Sequence, residues 1–265
     1  MIPNQWYVLM ESKEIKDRPV GVTRMGEKLV FWRDNAGKVS CLRDKCPHRG
    51  VELSTGKVVN GHIQCPFHGF EYDASGRAVL VPANGRNASV PQALKVHSYP
   101  TYEAHGFVWV WWGEDPPEDL PPPRFFDDID DGFTYATIHD LWNAHYSRAI
   151  ENQLDVVHVP FVHHNTIGRG IGKLVDGPGM KWVDEDKFYV YTYNREDDGS
   201  PPRRPSEVPV PPPDREYKLE FIFPNLWQNY ICLLYTSPSP RDSTLDLVCR
   251  LRLEKGGGGG GGGGG

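Results

Sequence analysis

The chain has 265 residues, 38% hydrophobic and 24% charged, with a formal net charge of −6. That length supports one large domain or two smaller ones with real cores, and the composition is ordinary for a globular protein. The acidic balance excludes a global basic field that would draw the chain to nucleic acid or an anionic membrane, so neither is an expected partner.

The first residues, MIPNQWYVLMESKEIKDRP, lack a basic stretch followed by an apolar core, so no signal peptide is expected. From Trp6 to about Gly113 the chain reads as short strands. GEKLVFWRD, KVSCLRD and GFVWVWWG are rich in β-branched and aromatic residues. Turn signals at Asn35-Ala-Gly, Ala74-Ser-Gly and Ala83-Asn-Gly punctuate them. The longest apolar run, Phe107 to Trp112, is strand-sized and too short to span a bilayer, and a cytoplasmic location is expected. Glu114 to Pro123, EDPPEDLPPP, is too rich in proline and acid for regular structure and marks a domain boundary.

Beyond it, Thr137 to Asp155 is expected to be helical, with Leu141, Ala144, Ile150 and Leu154 recurring near the helical period and Pro160 limiting the run. KFYVYTY and YKLEFIF read as strands, separated by the polar, proline-rich loop REDDGSPPRRPSEVPVPPPDRE. The expected fold class is therefore α+β. An all-β domain over residues 1–115 precedes a partial helix-plus-antiparallel-sheet domain over 116–231.

From Cys232 the text reads CLLYTSPSPRDSTLDLVCRLRLEK and then polyglycine. CLLYTSPSPRDS resembles the translation of a sequencing adapter, and polyglycine the translation of no-signal G bases. Residues 232–265 are expected to be non-native, with the native chain continuing differently past Ile231. Without them 25 basic and 32 acidic residues remain, and Cys232 and Cys249 drop out of the five cysteines. The remaining three, Cys41, Cys46 and Cys65, are an odd number set close to histidines. That pattern suits metal ligands in a reducing compartment better than a disulfide framework. Cys41, inside a strand, reads as a core residue.

Cys46-Pro-His48 and Cys65-Pro-Phe-His68 form the first constellation. Each pair can grip metal from a tight loop that Gly50 and Gly69 allow to turn. Two Cys and two His could hold one zinc, or a [2Fe–2S] cluster with thiolates on one iron and imidazoles on the other. The C-x-H then C-x-x-H order does not match the usual zinc-finger spacing. The flanking text, CPHRG, Leu53-Ser-Thr-Gly56 and CPFHGFEYD, resembles the Rieske domain across residues 6–113. The resemblance implies a [2Fe–2S] cluster with Cys46 and Cys65 on one iron and His48 and His68 on the other. Phe70 departs from the family's usual Trp.

The second constellation is Asn152, Asp155, His158 and His163. Residues three apart share a helical stripe, and the turn at Pro160 can bring His163 to His158. Two neutral imidazoles and a carboxylate can hold Fe(II) with positions left open for O₂ and substrate, although a solvated helix end carrying several His is the commoner explanation of such a run. Behind the first constellation, N-x-x-D-x-x-H-x₄-H resembles the α subunits of Rieske non-haem iron oxygenases. The likeness is greatest to the monooxygenase and O-demethylase types, such as vanillate demethylase and pheophorbide oxygenase. The resemblance implies His158 and His163 as ligands of a mononuclear Fe(II) and Asp155 as the carboxylate that orients His158. It also implies a bridge from Asp155 to His68 of a neighbouring subunit in a head-to-tail homotrimer. Asn152 would lie near the iron, and His164 would point away. The third, carboxylate ligand is expected from beyond Ile231. Asp242 and Asp246 fall in the suspect tail, and Asp184, Glu185 and Asp186 read as a solvated turn.

The implied activity is oxidation of a small organic substrate with O₂. Electrons would come from a reductase, with or without a ferredoxin, because the chain shows no flavin or nicotinamide glycine fingerprint. A Rieske ferredoxin and a zinc module are the other classes. The run from Asp155 to His163 argues against the first, and metal analysis separates the second.

Overall fold

The computed structural model describes residues 2–114, 116–126, 129, 133–137, 140, 142–155, 157–166, 168–170, 172–211, 218–230 and 251–255. Leu141, Asp242, Asp246, Cys232 and Cys249 lie outside the described residues. The backbone divides into two compact units, Met1–Pro123 and Arg124–Gly265.

Unit 1 is built from three small antiparallel sheets. The first comprises β1 (Gln5–Glu11), β10 (Thr101–Ala104) and β11 (Phe107–Trp112), in the order β1-β11-β10. The second is β2 (Val20–Arg24), β3 (Glu27–Arg33), β4 (Val39–Arg43) and β9 (Ser98–Tyr99). The third is β5 (Lys57–Val59), β6 (His62–Gln64), β7 (Glu71–Tyr72) and β8 (Ala78–Leu80).

The middle strands explain why EKLVFWR reads as nearly continuous apolar sequence. Side chains alternate across a strand, and β3 is covered on both faces. Leu29 and Phe31 point into a core with Tyr7, Met10, Val108 and Val110. Val30 and Trp32 point into a second core with Leu42, Leu53, Ile63 and Tyr72, and that core contains Cys46 and Cys65. The two thiols thus belong to the packed interior, at the edge where the third sheet meets the second.

Unit 2 contains a four-stranded antiparallel meander of β13 (Val175–Trp182), β14 (Lys187–Asn194), β15 (Lys218–Ile222) and β16 (Leu226–Tyr230). A separate pair joins β12 (Phe133–Thr137) to β17 (Leu251–Lys255). Helix α1 (Tyr146–Leu154) lays Ile150 and Leu154, one turn apart, on Val190, Leu219, Phe221 and Trp227 of the meander. A four-residue helix, α2 (Val159–Val162), follows.

The α+β expectation holds, and the named strand segments form strands. The helix expected over Thr137–Asp155 is corrected. Thr137 ends β12, and α1 begins only after His145, whose ring accepts from the Ser147 N–H and caps the helix. β12 pairs with β17 only as far as Thr137, and the helix starts at Tyr146 because the His145 ring caps it there. Among the described residues, no helix is long and apolar enough to cross a membrane.

Candidate metal centres

The two cysteine loops of unit 1 close in the same way. The Cys46 N–H donates to the Val51 carbonyl and the Gly50 N–H to the Cys46 carbonyl, both at 2.8 Å. Likewise the Cys65 N–H donates to the Phe70 carbonyl at 2.8 Å and the Gly69 N–H to the Cys65 carbonyl at 3.0 Å. Gly50 and Gly69 have φ of +75° and +71°, a region that side chains disfavour, so glycine is what lets each loop fold back on its cysteine.

These loops present two pairs. Cys46 and Cys65 are each only 2% exposed, whereas His48 and His68 lie at the surface with ring centroids 4.7 Å apart. Phe70 stacks on His48 at 5.0 Å and fixes its plane, which is the service its aromatic ring can supply in place of a larger one. Burial pushes the Cys65 thiol up, and adjacent Cys46 adds to this, while the Phe67 and His68 backbone N–H groups pull the other way. Two buried sulfurs side by side cannot both carry charge in isolation, but a bound metal deprotonates them outright and absorbs the repulsion. Tyr72 lies 3.2 Å from the Cys46 sulfur, and burial first, then the neighbouring thiols, hold its phenol protonated. Once the Cys46 sulfur is a thiolate, this phenol is an O–H donor to it. Behind the first loop, buried Asp44 accepts from the Ser54 N–H at 2.8 Å and the Ser54 hydroxyl at 2.5 Å.

In unit 2, Asn152 sits exposed on α1 and Asp155 is the residue that ends it, with extended backbone. The shared helical stripe of Asn152, Asp155 and His158 is thereby corrected, because the chain leaves the helix between the first and the last. The Asp155 carboxylate instead accepts from the Val157 N–H at 2.9 Å and the His158 N–H at 3.3 Å, which fixes the exit turn. His158 and His163 flank α2 with ring centroids 5.3 Å apart. Pro160 falls in the first turn of α2, where its missing N–H is not needed. His158 Nδ1 is buried without a hydrogen-bond partner, and the nearest carboxylate oxygen is Asp155 Oδ2 at 3.7 Å. Exposed His164 turns away, its Nδ1 2.9 Å from the Phe161 carbonyl. Asp184 and Asp186 belong to the β13–β14 hairpin turn, where Arg124 grips the Asp184 carboxylate through two contacts of 2.8 Å. Among the described residues, no three His, Cys, Asp or Glu side chains converge on a single ion.

Comparison with known proteins bears on both centres. Residues 5–100 match the Rieske [2Fe-2S] domain, and residues 142–242 match the vanillate O-demethylase oxygenase C-terminal domain. Over these stretches the chain is similar to a Rieske domain and then to part of an oxygenase domain. Among curated relatives, the oxygenase component of dicamba O-demethylase from Stenotrophomonas maltophilia is 34% identical over 163 residues, covering 61% of this chain and 48% of the relative. The vanillate O-demethylase oxygenase subunit of Pseudomonas sp. (strain HR199 / DSM 7063) is 34% identical over 170 residues, covering 63% and 46%. A solved structure of dicamba monooxygenase bound to dicamba matches with a TM-score of 0.59 at 30% identity, over 71% of this chain and 56% of that one. The chain spans less than half the length of the curated relatives it matches.

A Rieske domain implies a [2Fe–2S] cluster, and the donors here fit one. Buried thiols and exposed imidazoles form two separate pairs, as two irons require, and not one tetrahedral set. Groups the motif does not reveal complete the fit: Tyr72 and the peptide N–H groups of Phe67 and His68 beside the sulfurs, and behind the loop Ser54 donating to the Asp44 carboxylate. Tyr72 stands in the CPFHGFEYD text, but its aim at a cysteine 26 residues earlier is decided by the pairing of β6 with β7. Cys41 lies buried in β4, with its thiol pushed well up by that burial, and is a core residue.

Proposed function

We propose that this chain is the front part of the oxygenase component of a Rieske-type demethylating or ring-hydroxylating system. Its product would come from O₂-dependent oxidation of a small, aromatic organic substrate. In this reading Cys46, His48, Cys65 and His68 hold the cluster, and His158 and His163 hold a mononuclear Fe(II), the species that supplies O₂ activation when bound. The observation that carries the reading is the turn at Asp155. A buried Nδ1 of His158 facing a carboxylate leaves Nε2 as the metal-facing nitrogen, the arrangement in which an outer carboxylate sets the tautomer of a ligand. A protein that only carries electrons has no use for it.

The chain's own residues then have distinct tasks. Tyr72 and the Phe67 and His68 N–H groups stabilise added negative charge at the sulfurs and raise the potential at which the cluster accepts an electron. Asp155 orients His158 and, across the boundary of a head-to-tail homotrimer, would face His68 of the next subunit. Reducing equivalents come from a reductase, directly or through a ferredoxin. Mono-oxygenation or demethylation of a C–H or O-methyl group is favoured over ring dihydroxylation because the matched relatives include O-demethylases. Among the described residues Cys41, Cys46 and Cys65 are free thiols, which supports a reducing compartment, taken in this reading to be the cytoplasm.

Residues 1–115 form the cluster domain in this proposal, 116–231 the start of the iron domain, and 232–265 a non-native tail. The oxygenase-domain match runs to residue 242, so the tail's first residues are where the proposal is most exposed. Sequencing the gene past the Ile231 codon is expected to show further strands and a late Asp or Glu that completes the iron site. Native codons for CLLYTSPSPRDS would overturn the tail assignment and remove the third ligand. For the completed protein, anaerobic loading with iron and sulfide should give three irons per chain. Two irons per chain with normal cluster absorbance would reduce the protein to an electron carrier.

A further inference from the structure

The two surface histidines of the cluster site face unlike surroundings. His68 sits at an uncharged tip: Pro66, Phe67, Gly69 and Phe70 surround it in sequence, and the Phe67 ring is 59% exposed, 4.1 Å from the His68 ring. His48 instead forms a wall of a groove of about 490 Å³ whose other walls include Arg43, Lys45, Arg49, Lys95 and His97. Pairing of β4 with β9 makes this groove. The Arg43 N–H donates to the His97 carbonyl at 2.9 Å, which brings the 95–97 segment beside the first cysteine loop. Arg43 is matched by Glu27 at 3.0 Å, but no ion pair to Lys45, Arg49 or Lys95 occurs among the described residues. All three are exposed. A chain of net charge −6 has therefore gathered unmatched cations on the His48 side of the histidine pair, while the residues flanking His68 in sequence are uncharged.

We infer that the electron donor docks in the cationic groove at His48, presents an acidic surface to it, and leaves the apolar His68 tip free for the exit side. This rests on the oxygenase reading and names the partner of its cluster. The step is a single-electron transfer from a reduced, acidic one-electron carrier to the oxidised cluster; the donor is oxidised, and no bond forms or breaks. Local opposite charge steers such encounters even when both proteins are acidic overall, because fields beyond a Debye length are screened while the groove acts at contact.

The test uses the full chain loaded with its cluster and, as probe, a pre-reduced acidic plant-type [2Fe–2S] ferredoxin, followed by stopped-flow bleaching of the cluster absorbance. Lys95→Glu, outside both ligand loops, and Lys45→Glu are expected to slow second-order reduction about tenfold each at low salt, with the gap closing as salt rises. Phe67→Ser should leave the rate within twofold. Equilibrium potentials of all variants are expected to stay together, which separates docking from tuning. A wild-type rate and salt slope in both Lys variants, or a tenfold loss confined to Phe67→Ser, would overturn the assignment. So would a change in oligomeric state of the Lys variants with unchanged reduction rate, which would give the groove to an acidic segment of a second copy. If no iron–sulfur absorbance forms in the parent chain, it is the oxygenase reading that fails, and the docking assignment falls with it.

Discussion

The two candidate centres are built to opposite plans. In unit 1 each ligand loop is closed by two backbone hydrogen bonds and its cysteine is inside a core, and a buried tyrosine and a buried aspartate brace the first loop. In unit 2 the histidines ride on one exposed turn held by a single half-exposed carboxylate, and among the described residues no third ligand approaches. The first is a self-sufficient cradle whose partners lie within one small unit. The second sets two histidines on one turn, and as a metal centre its ordering would depend on what else reaches it. An over-determined cradle holds its shape before the metal arrives; an under-braced turn leaves binding to supply the order.

That contrast can be broken most directly at the cysteines. Cys65→Ser is expected to abolish cluster incorporation, read as absence of visible absorbance after anaerobic reconstitution. Retention of a normal spectrum would mean that the cradle is not where the irons sit. The outer centre should respond differently to Asp155→Asn. In the completed protein, turnover coupled to O₂ is expected to fall about 10–100-fold while the cluster's spectrum stays unchanged, because the change acts on His158 and on the boundary to the neighbouring subunit and leaves the cluster's own ligands in place. Equal loss of both signals would make Asp155 a structural residue.

Bracing is sharpened by Asp44→Ala, which strips the acceptor from the Ser54 N–H and hydroxyl in a buried place. Loss of about 2–3 kcal/mol in urea unfolding is expected. A change under about 0.5 kcal/mol would show that the cradle does not rely on this prop. A smaller effect is expected from Tyr72→Phe. Removing one O–H donor worth about 1 kcal/mol more to the reduced than to the oxidised cluster lowers the potential by roughly 40 mV for a one-electron couple. An unchanged potential by redox titration would make the contact at Cys46 a packing contact only.

The smallest effect belongs to the exposed pair at the unit 2 hairpin. The Arg124 guanidinium, helped by the Asp186 N–H, holds the Asp184 carboxyl well below the usual carboxylate range. Its folded value is depressed, so its contribution is present above the ordinary carboxylate pKa and is lost only as pH falls through the depressed one. Arg124→Ala should return the Asp184 titration, followed by NMR, toward that of an exposed aspartate, with little change in thermal stability since solvent screens the pair.

Much of this was open to a reader of the residues alone. The cysteines and histidines lie in two short windows whose glycines and prolines set their own turns, so local chemistry outlined the cradle and the strands around it, while the choice of a cluster over zinc came from the resemblance to the Rieske domain. The Asp155–His163 run was legible for the same reason. Contacts between segments far apart in the chain were not. Tyr72 reaches Cys46 only because β6 pairs with β7, and Lys95 joins Lys45 only because β9 pairs with β4. The pattern from 137 to 155 favoured a helix, yet the helix begins only at Tyr146, after the cap at His145. Periodicity and motif spacing describe what a segment can do with its neighbours in sequence. Which segments meet, and hence which side chain braces a sulfur or lines a groove, follows from long-range packing, whose energy is carried by no single window of the chain.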